Sequence, residues 1–127
     1  MISSAAATKQ IRRGEIWWAS LPNDPPGKGP RPVIIVSRNS RNQHPRAVTV
    51  LAVPLSTSIH KQSPVHILFQ PGETGLPEAC VAQAENVTVV SKDWLVKLNT
   101  PSRLVSSTKI CQLAGLVAAA MDCDSPR

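Results

Sequence analysis

The sequence predicts a mainly β domain with helices, a small antiparallel barrel or sheet on which one C-terminal helix packs. Two features support this fold class. Short apolar segments rich in β-branched residues alternate with turns rich in glycine and proline, and the last stretch has helical periodicity. At 127 residues, the chain fits one domain that can bury a core without a disulfide or a metal.

Apolar segments predict the strands. The first begins at Gly14 and reads GEIWWAS, and strand alternation puts Trp17 and Trp18 on opposite faces. Further strands are predicted at 32–37, 47–54 and 65–69, and one or two more at 80–83 and 87–90. Residues 21–31, 38–46 and 55–63 are predicted loops, and the first of these loops holds four prolines.

The closing helix has two predicted starting points. Thr100 and Pro101 suit the N-cap and the first helical position, whereas the hydroxyl residues that follow favour a start near Ser107. Apolar residues recur at 110, 113, 117 and 120, which gives the helix one apolar face. We expect a single domain at 13–121, between a flexible N-terminal tail at 1–12 and a C-terminal tail at 122–127.

The positive charge is concentrated in the first 46 residues. They hold eight basic and two acidic residues, whereas residues 47–127 hold six of each, so the whole net charge of +6 lies in this region. Such a region indicates a polyanionic partner, although a solvated arginine-rich surface is the alternative. Because the chain has only three tryptophans and one phenylalanine, we expect arginines, hydroxyls and backbone groups, rather than stacked rings, to contact nucleic acid.

The remaining composition excludes several classes of protein. The three cysteines, Cys80, Cys111 and Cys123, have no close pair, which excludes a disulfide framework and a typical zinc site. Residues 1–13 lack the apolar run of a signal peptide, and no apolar stretch is long enough to span a bilayer. We therefore expect a soluble cytoplasmic protein with no membrane partner. No phosphate-binding or metalloprotease motif is present, so an enzyme here would need no metal or other cofactor.

Arg31 is the first candidate for chemistry. It stands between Pro30 and Pro32, and both prolines restrict the backbone that carries it. A guanidinium on a stiff support suits bidentate binding of phosphate oxygens and stabilisation of a phosphorane. An arginine that only caps a strand, or pairs with Glu15, is an equally good interpretation of the residue alone.

The second candidate is the hydroxyl cluster Ser56, Thr57 and Ser58, which follows an apolar strand. Hydroxyls and free N–H groups at a strand end bind phosphate, although an ordinary polar turn is the commoner meaning of this pattern. His60 and His66 are a weaker candidate for paired acid–base catalysis. The segment 85–86 (Glu-Asn) could contact a base edge or form a turn, and the stretch 27–29 (Gly-Lys-Gly) is too short for a phosphate-cradling loop of known type.

Four segments together resemble the MazF/PemK toxin endoribonucleases. They are RGEIWW at 13–18, GPRPVIIVS at 29–37, VPLSTS at 53–58 and VAQAENV at 81–87. The resemblance runs in register from about residue 13 to about residue 121. It implies an SH3-like antiparallel barrel (MazF/PemK/CcdB-like) with a C-terminal helix, in a homodimer. It further implies cleavage of single-stranded RNA without a metal, which leaves a 2′,3′-cyclic phosphate and a 5′-hydroxyl, and inhibition by an acidic antitoxin protein.

The resemblance also assigns residues. Arg31 matches the catalytic arginine of the family, and Ser56 matches a catalytic position that is usually threonine. Glu85 and Asn86 match an acidic–amide pair near the RNA, with asparagine where glutamine is usual, and Lys28, Thr57 and Ser58 are predicted to bind RNA. One departure concerns the loop before the second strand, where many members carry a glutamate in the sequence GSEQ. Here residues 24–30 read DPPGKGP and contain no glutamate.

Two other functions remain compatible with the sequence. One is a poison of the same fold that acts on DNA gyrase, although such relatives depend on a tryptophan near the C-terminus and this chain ends in MDCDSPR. The other is a non-catalytic module that binds nucleic acid or antitoxin, and the missing loop glutamate favours it. Gyrase inhibition would indicate the first, and salt-sensitive RNA binding without cleavage would indicate the second.

Overall fold

The structure, a computed structural model, describes residues 9–22, 24–59, 63–97 and 104–121. Its elements comprise seven strands, two α-helices and two short 3₁₀ turns within those ranges. The strands are β1 (Ile16–Ala19), β2 (Arg31–Ile35), β3 (Thr49–Ser56), β4 (His66–Phe69), β5 (Cys80–Gln83), β6 (Thr88–Ser91) and β7 (Val96–Lys97). The helices are α1 (Asn39–Asn42) and α2 (Ser107–Ala120), and the 3₁₀ turns are Ala84–Asn86 and Lys92–Trp94.

The strands form one antiparallel sheet. Their order is β4-β5-β3-β2-β1-β7. The remaining strand, β6, pairs with β3 and is not part of this linear order. The predicted mainly β class with a C-terminal helix is therefore confirmed. Within the part of the chain that the structure describes, β4 and β7 end the order and the sheet does not close on itself.

Strand β3 changes partner along its length. From Thr49 to Ala52 it pairs with β6, and from Leu55 it pairs with β5. Pro54 lies at the change, and a proline cannot donate a ladder hydrogen bond there. The predicted third strand was too short, because β3 continues through Ser56 and so carries the first predicted hydroxyl on the strand itself.

Two apolar clusters lie on opposite faces of the central strands. Ile16, Ile34 and Val53 belong to the cluster that helix α2 covers, whereas Trp17 and Val33 belong to the other. Trp17 is buried and Trp18 is half-buried, as the predicted alternation requires. Burial on both faces explains why the central strands read as continuous apolar runs rather than alternating ones.

Helix α2 begins at Ser107, so the later of the two predicted starts is confirmed. The Ser106 side chain caps it by accepting a hydrogen bond from the backbone N–H of Lys109. Thr100 and Pro101 lie outside the described residues. Gly14 permits close approach of the helix, because it has a φ of +91° and a Cβ atom there would lie 3.4 Å from Ile110 Cγ1 and from the Val105 carbonyl oxygen.

Part of the predicted N-terminal tail packs on the domain. Ile11 is fully buried in the Trp17 cluster. The Lys9 ammonium donates hydrogen bonds to the carbonyl oxygens of Lys92, Asp93 and Leu95 at 2.9, 3.2 and 2.6 Å. The tail prediction was therefore wrong for residues 9–12. The residues that contact Ile11 and Lys9 lie far along the chain, so no local sequence pattern indicates these contacts.

The predicted loop at 38–46 contains the short helix α1. Asn42 anchors it, since its buried side chain accepts from the Ser37 hydroxyl and donates to the Ser37 carbonyl oxygen. The Ser37 hydroxyl in turn accepts the backbone N–H of Leu51 in β3. Among the helices in the described ranges, none combines the length and hydropathy needed to cross a membrane.

Candidate active site

Arg31 opens strand β2 at the edge of a cavity. Its side chain is 20 % exposed, and Nη1 lies 3.2 Å from Asp24 Oδ1. Nη2 donates a longer hydrogen bond of 3.4 Å to the carbonyl oxygen of Leu55. The alternative partner weighed from the sequence, Glu15, is wrong, because that buried carboxylate accepts from Arg12 and from the Trp17 indole.

Asp24 is the acidic partner that sequence reasoning missed. It lies in the proline-rich loop that carries no glutamate, and its side chain is 13 % exposed. Oδ1 contacts Arg31, whereas the buried Oδ2 has no hydrogen-bond partner among the described residues. A buried carboxylate oxygen without a donor forgoes a favourable hydrogen bond, so this atom retains its capacity to accept one. Asp24 was recognisable as the single acidic residue between Glu15 and Glu73.

The cavity beside Arg31 has a volume of about 310 Å³. Its walls come from the loop after β1, from the start of β2, from β3 and from the 3₁₀ turn before β6. The lining residues are Leu21, Pro22, Asp24, Arg31, Pro54, Glu85, Asn86, Val87 and Thr88. Three of the seven predicted site residues, Arg31, Glu85 and Asn86, therefore share one cavity.

Glu85 is held at the rim of this cavity by His66. Glu85 Oε2 lies 2.9 Å from His66 Nε2, and the imidazole is 8 % exposed. His66 Nδ1 accepts the backbone N–H of Ser63 at 3.3 Å, so in the neutral ring the proton sits on Nε2 and is donated to Glu85. The predicted pairing of His66 with His60 is not tested, since His60 lies outside the described residues. Asn86 donates from Nδ2 to Gln83 Oε1 at 3.2 Å and remains exposed.

The hydroxyl cluster lies beside a second cavity, of about 260 Å³. Ser56 and Thr57 line it together with the apolar side chains of Trp18, Leu55 and Leu76. Cys80 also lines it, and burial raises the pKa of this thiol, which keeps it protonated at neutral pH. Ser56 is the last residue of β3, one position beyond the carbonyl that Arg31 contacts, and its Oγ accepts the backbone N–H of Ser58.

Lys28 lies apart from both cavities. It is exposed in a turn that is closed by a hydrogen bond from its own N–H to the Pro25 carbonyl oxygen. Gly27 and Gly29 on either side have φ values of +84° and +82°, which only glycine adopts without strain. The Lys28 ammonium extends from the same loop as Asp24 but lines none of the described cavities.

This arrangement supplies one fixed cation and two carboxylates around an open space. An arginine with two N–H groups in a rigid plane binds and stabilises a tetrahedral or pentavalent phosphate anion. A carboxylate in the same cavity belongs to the residue types that act as general bases. The cavity therefore has the groups that phosphodiester cleavage by an adjacent hydroxyl requires.

Comparison with known proteins places the chain in a family. Residues 12–119 match the family described as "PemK-like, MazF-like toxin of type II toxin-antitoxin system". The chain belongs to this family of toxins, as the four sequence segments predicted. The match covers every element from β1 to α2, except for the last residue of α2.

Individual relatives agree with this assignment. The chain is 31 % identical over 111 residues to Endoribonuclease MazF9 of Mycobacterium tuberculosis, which covers 81 % of this chain and 89 % of the relative. A solved mycobacterial endoribonuclease in complex with its cognate antitoxin superimposes with a TM-score of 0.69 at 24 % identity, covering 92 % of this chain and 100 % of that one. The M. tuberculosis toxin MazF-mt6 gives a TM-score of 0.66 at 21 % identity, with coverages of 87 % and 99 %.

Proposed function

We propose that this toxin is a sequence-specific endoribonuclease that cuts single-stranded RNA, including mRNA, without a metal. The observation that carries the proposal is the Arg31 guanidinium, which lines an open cavity together with Asp24, Glu85 and Asn86. The identity to Endoribonuclease MazF9 supports the same reaction class. The products are a 2′,3′-cyclic phosphate and a 5′-hydroxyl.

The positive charge of the Arg31 guanidinium explains how the reaction is accelerated. The ribose 2′-hydroxyl attacks the adjacent phosphorus, and the bond to the 5′-oxygen breaks. Negative charge accumulates on the phosphate oxygens in the transition state, where Arg31 is already fixed by Asp24 and by the Leu55 carbonyl oxygen. DNA lacks the attacking hydroxyl and is therefore not a substrate.

Asp24 takes the position of a general base. Asp24 contacts Arg31 through Oδ1, and its Oδ2 has no hydrogen-bond donor among the described residues. It accepts the proton of the attacking 2′-hydroxyl, while the leaving 5′-oxygen takes a proton from water in the open cavity. A carboxylate from the proline-rich loop thus supplies the function expected of the absent loop glutamate.

The remaining predicted residues bind the RNA. Ser56 Oγ accepts from Ser58, which leaves the Ser56 hydroxyl proton to donate to the phosphate bound by Arg31. Thr57 and Ser58 continue this edge towards solvent, and Lys28 adds positive charge from the loop. Glu85 and Asn86, on the other side of the cavity, accept from and donate to a base edge in this proposal, which is supported by their position on the cavity wall.

We also infer two protein partners. As a toxin of a type II system the protein has an antitoxin, and its net charge of +6 suits an acidic one. A second copy of the chain would cover the exposed apolar pair Leu51 and Val89, which lie opposite each other on β3 and β6, in a homodimer. Size-exclusion chromatography with light scattering would detect the dimer, and a monomer at micromolar concentration would contradict it.

The first experiment incubates a long, mixed-sequence single-stranded RNA with the protein in excess EDTA. Wild type and Arg31→Ala, purified identically, are compared, with a DNA of the same sequence as control. We expect discrete RNA fragments ending in cyclic phosphate from wild type only, with a loss of at least about 10²-fold for the variant and intact DNA. Equal cleavage by both proteins would remove Arg31 from the mechanism.

Failure of cleavage by wild type would point to the other functions. Inhibition of gyrase supercoiling would then indicate a gyrase poison. Salt-sensitive RNA binding without products would indicate a binding module, because each phosphate contact releases counterions on binding. Both results would contradict the proposed enzyme.

A further inference from the structure

Trp94 presents the most exposed aromatic ring in the described part of the chain. The residue is 60 % exposed, whereas Trp17 and Phe69 are buried and Trp18 is half-buried. An indole exposed to this degree forfeits the apolar burial that normally stabilises tryptophan. A ligand that covers the ring when it binds would restore this apolar burial.

The ring is held on a rigid turn. Ser91 caps the 3₁₀ turn Lys92–Trp94 by accepting the backbone N–H of Asp93, and the next residue, Leu95, is fully buried in the Trp17 cluster. The Lys9 ammonium binds three carbonyl oxygens around the turn. A ring whose backbone is fixed in this way loses little conformational entropy when a flat partner stacks on it.

The surface at Trp94 is continuous with the Arg31 cavity. A groove of about 510 Å³ is lined by Ser20, Leu21, Pro22 and Trp94, and Leu21 and Pro22 also line the Arg31 cavity. The strand register also brings the two regions close together. Arg31 pairs with Ala19 across β1–β2, and Trp18 pairs with Val96 across β1–β7. Because neighbouring strands lie about 4.8 Å apart, β7, which follows the turn that carries Trp94, lies roughly two strand spacings from the strand that begins at Arg31.

We propose that Trp94 is a stacking platform for a base of the RNA whose scissile phosphate is bound by Arg31. The inference rests on the proposed function, since it assumes RNA in the Arg31 cavity. A polynucleotide that leaves the Arg31 cavity across Leu21 and Pro22 enters the groove that is also lined by the Trp94 ring. Stacking on a single ring is tolerant of sequence, so Trp94 contributes affinity next to the cut rather than the choice of cut.

The test begins with wild type and the mixed-sequence RNA in EDTA, which locates the cut. A short RNA with this sequence is then used for kinetics, and its analogue with 2′-deoxyribose at the cut is used for binding. Trp94→Ala is expected to raise KM and the Kd for the analogue roughly 5- to 140-fold, with little change in kcat. Trp94→Phe should retain more affinity than Trp94→Leu. Val96→Ala, a change at a residue of similar exposure next to the turn, is the matched control and should leave both constants unchanged.

A second measurement needs no variant. Binding of the uncleavable RNA to wild type should reduce the quenching of tryptophan fluorescence by acrylamide, since the exposed indole becomes covered. No protection, or equal affinity in Trp94→Ala and wild type while wild type cuts RNA, would overturn the stacking platform but leave the endoribonuclease intact. A variant that cuts normally but escapes its antitoxin or fails to dimerise would assign the ring to a protein interface instead. If wild type cuts no RNA, the proposed function itself has failed.

Discussion

Two ion pairs in this toxin have similar chemistry but different surroundings. In the pair of Lys109 with Glu73, both carboxylate oxygens are satisfied, since the ammonium lies 2.9 and 3.0 Å from them and one also accepts the backbone N–H of Gln70. In the pair of Arg31 with Asp24, one carboxylate oxygen is buried without a donor among the described residues. The first pair ties α2 to the turn that follows β4, and the second borders an open cavity.

We propose that this difference separates a structural pair, Lys109 with Glu73, from a functional pair, Arg31 with Asp24. Lys109 also donates to the Leu68 carbonyl oxygen and lies 4.7 Å from the centre of the Phe69 ring, so its interactions are all within the fold. Arg31 and Asp24 retain hydrogen-bonding capacity that the fold does not use. Substitutions of Arg31 or Asp24 should therefore lower the rate of RNA cleavage, whereas substitutions of Lys109 or Glu73 should lower the stability of the fold.

The largest effect is expected from Arg31→Lys, which keeps the charge but loses the planar pair of donors. We expect kcat to fall on the order of 10²- to 10³-fold in EDTA, with the urea midpoint of unfolding close to that of wild type. The matched change Lys109→Arg should leave cleavage unchanged. Full activity in Arg31→Lys would mean that a positive charge alone is sufficient at this position.

Asp24→Asn is expected to have the next largest effect. Loss of the base should lower kcat about 10²-fold, whereas removal of a negative charge near the phosphate should not raise KM. Glu73→Gln, the same change at the structural pair, should cleave RNA at the wild-type rate. A normal kcat in Asp24→Asn across pH 5–9 would exclude Asp24 as the base and leave it as the residue that orients Arg31.

Lys109→Met should change stability and not chemistry. The substitution removes the ion pair, the hydrogen bond to Leu68 and the cation–π contact with Phe69, and a loss of about 1 kcal/mol in the free energy of unfolding is expected. Urea denaturation followed by circular dichroism measures it. If the variant instead loses cleavage at unchanged stability, the two pairs are not separable in the way proposed.

The smallest effect concerns the acid stability of the Glu73 pair. The backbone hydrogen bond from Gln70, and then Lys109, hold the pKa of Glu73 below its usual 4.5. A lowered folded pKa means that this stabilisation is present above about pH 4.5 and is lost as the pH falls through the folded value. Since Glu73 is more than one-third exposed, the contribution is under about 1 kcal/mol. Unfolding of Glu73→Gln compared with wild type between pH 3 and 6 tests this, and identical pH dependence would contradict it.

Much of the fold followed from local patterns, and the exceptions have clear causes. The apolar strands and the start of helix α2 at Ser107 were predictable because residues adjacent in sequence determine both. Strand β7 has only two residues, both exposed, and so has no period to detect. Helix α1 is polar and short, and a buried contact between Ser37 and Asn42 holds it rather than helix propensity.

The site was predictable in part for the same reason. Arg31 was singled out by its flanking prolines and by the family resemblance, and Glu85 and Asn86 by the resemblance, and all three line one cavity. The contact of Asp24 with Arg31 depends on how a seven-residue stretch rich in proline and glycine folds back, which no local period encodes. The roles of Arg31, Glu85 and Asn86 stay predictions, as do those of Ser56, Thr57, Ser58 and Lys28.

The position of Gly14 has a consequence for how the chain acquires its structure. The Gly14 carbonyl oxygen accepts from the backbone N–H of Val105, and the neighbouring strand β1 pairs with β7, so the first strand is completed by residues that are synthesised long after it. Contacts between segments so distant in sequence close slowly. While a nascent chain lacks helix α2, the apolar face around Ile16 and Ile34 remains open to water, so this core is completed only after that helix has been synthesised.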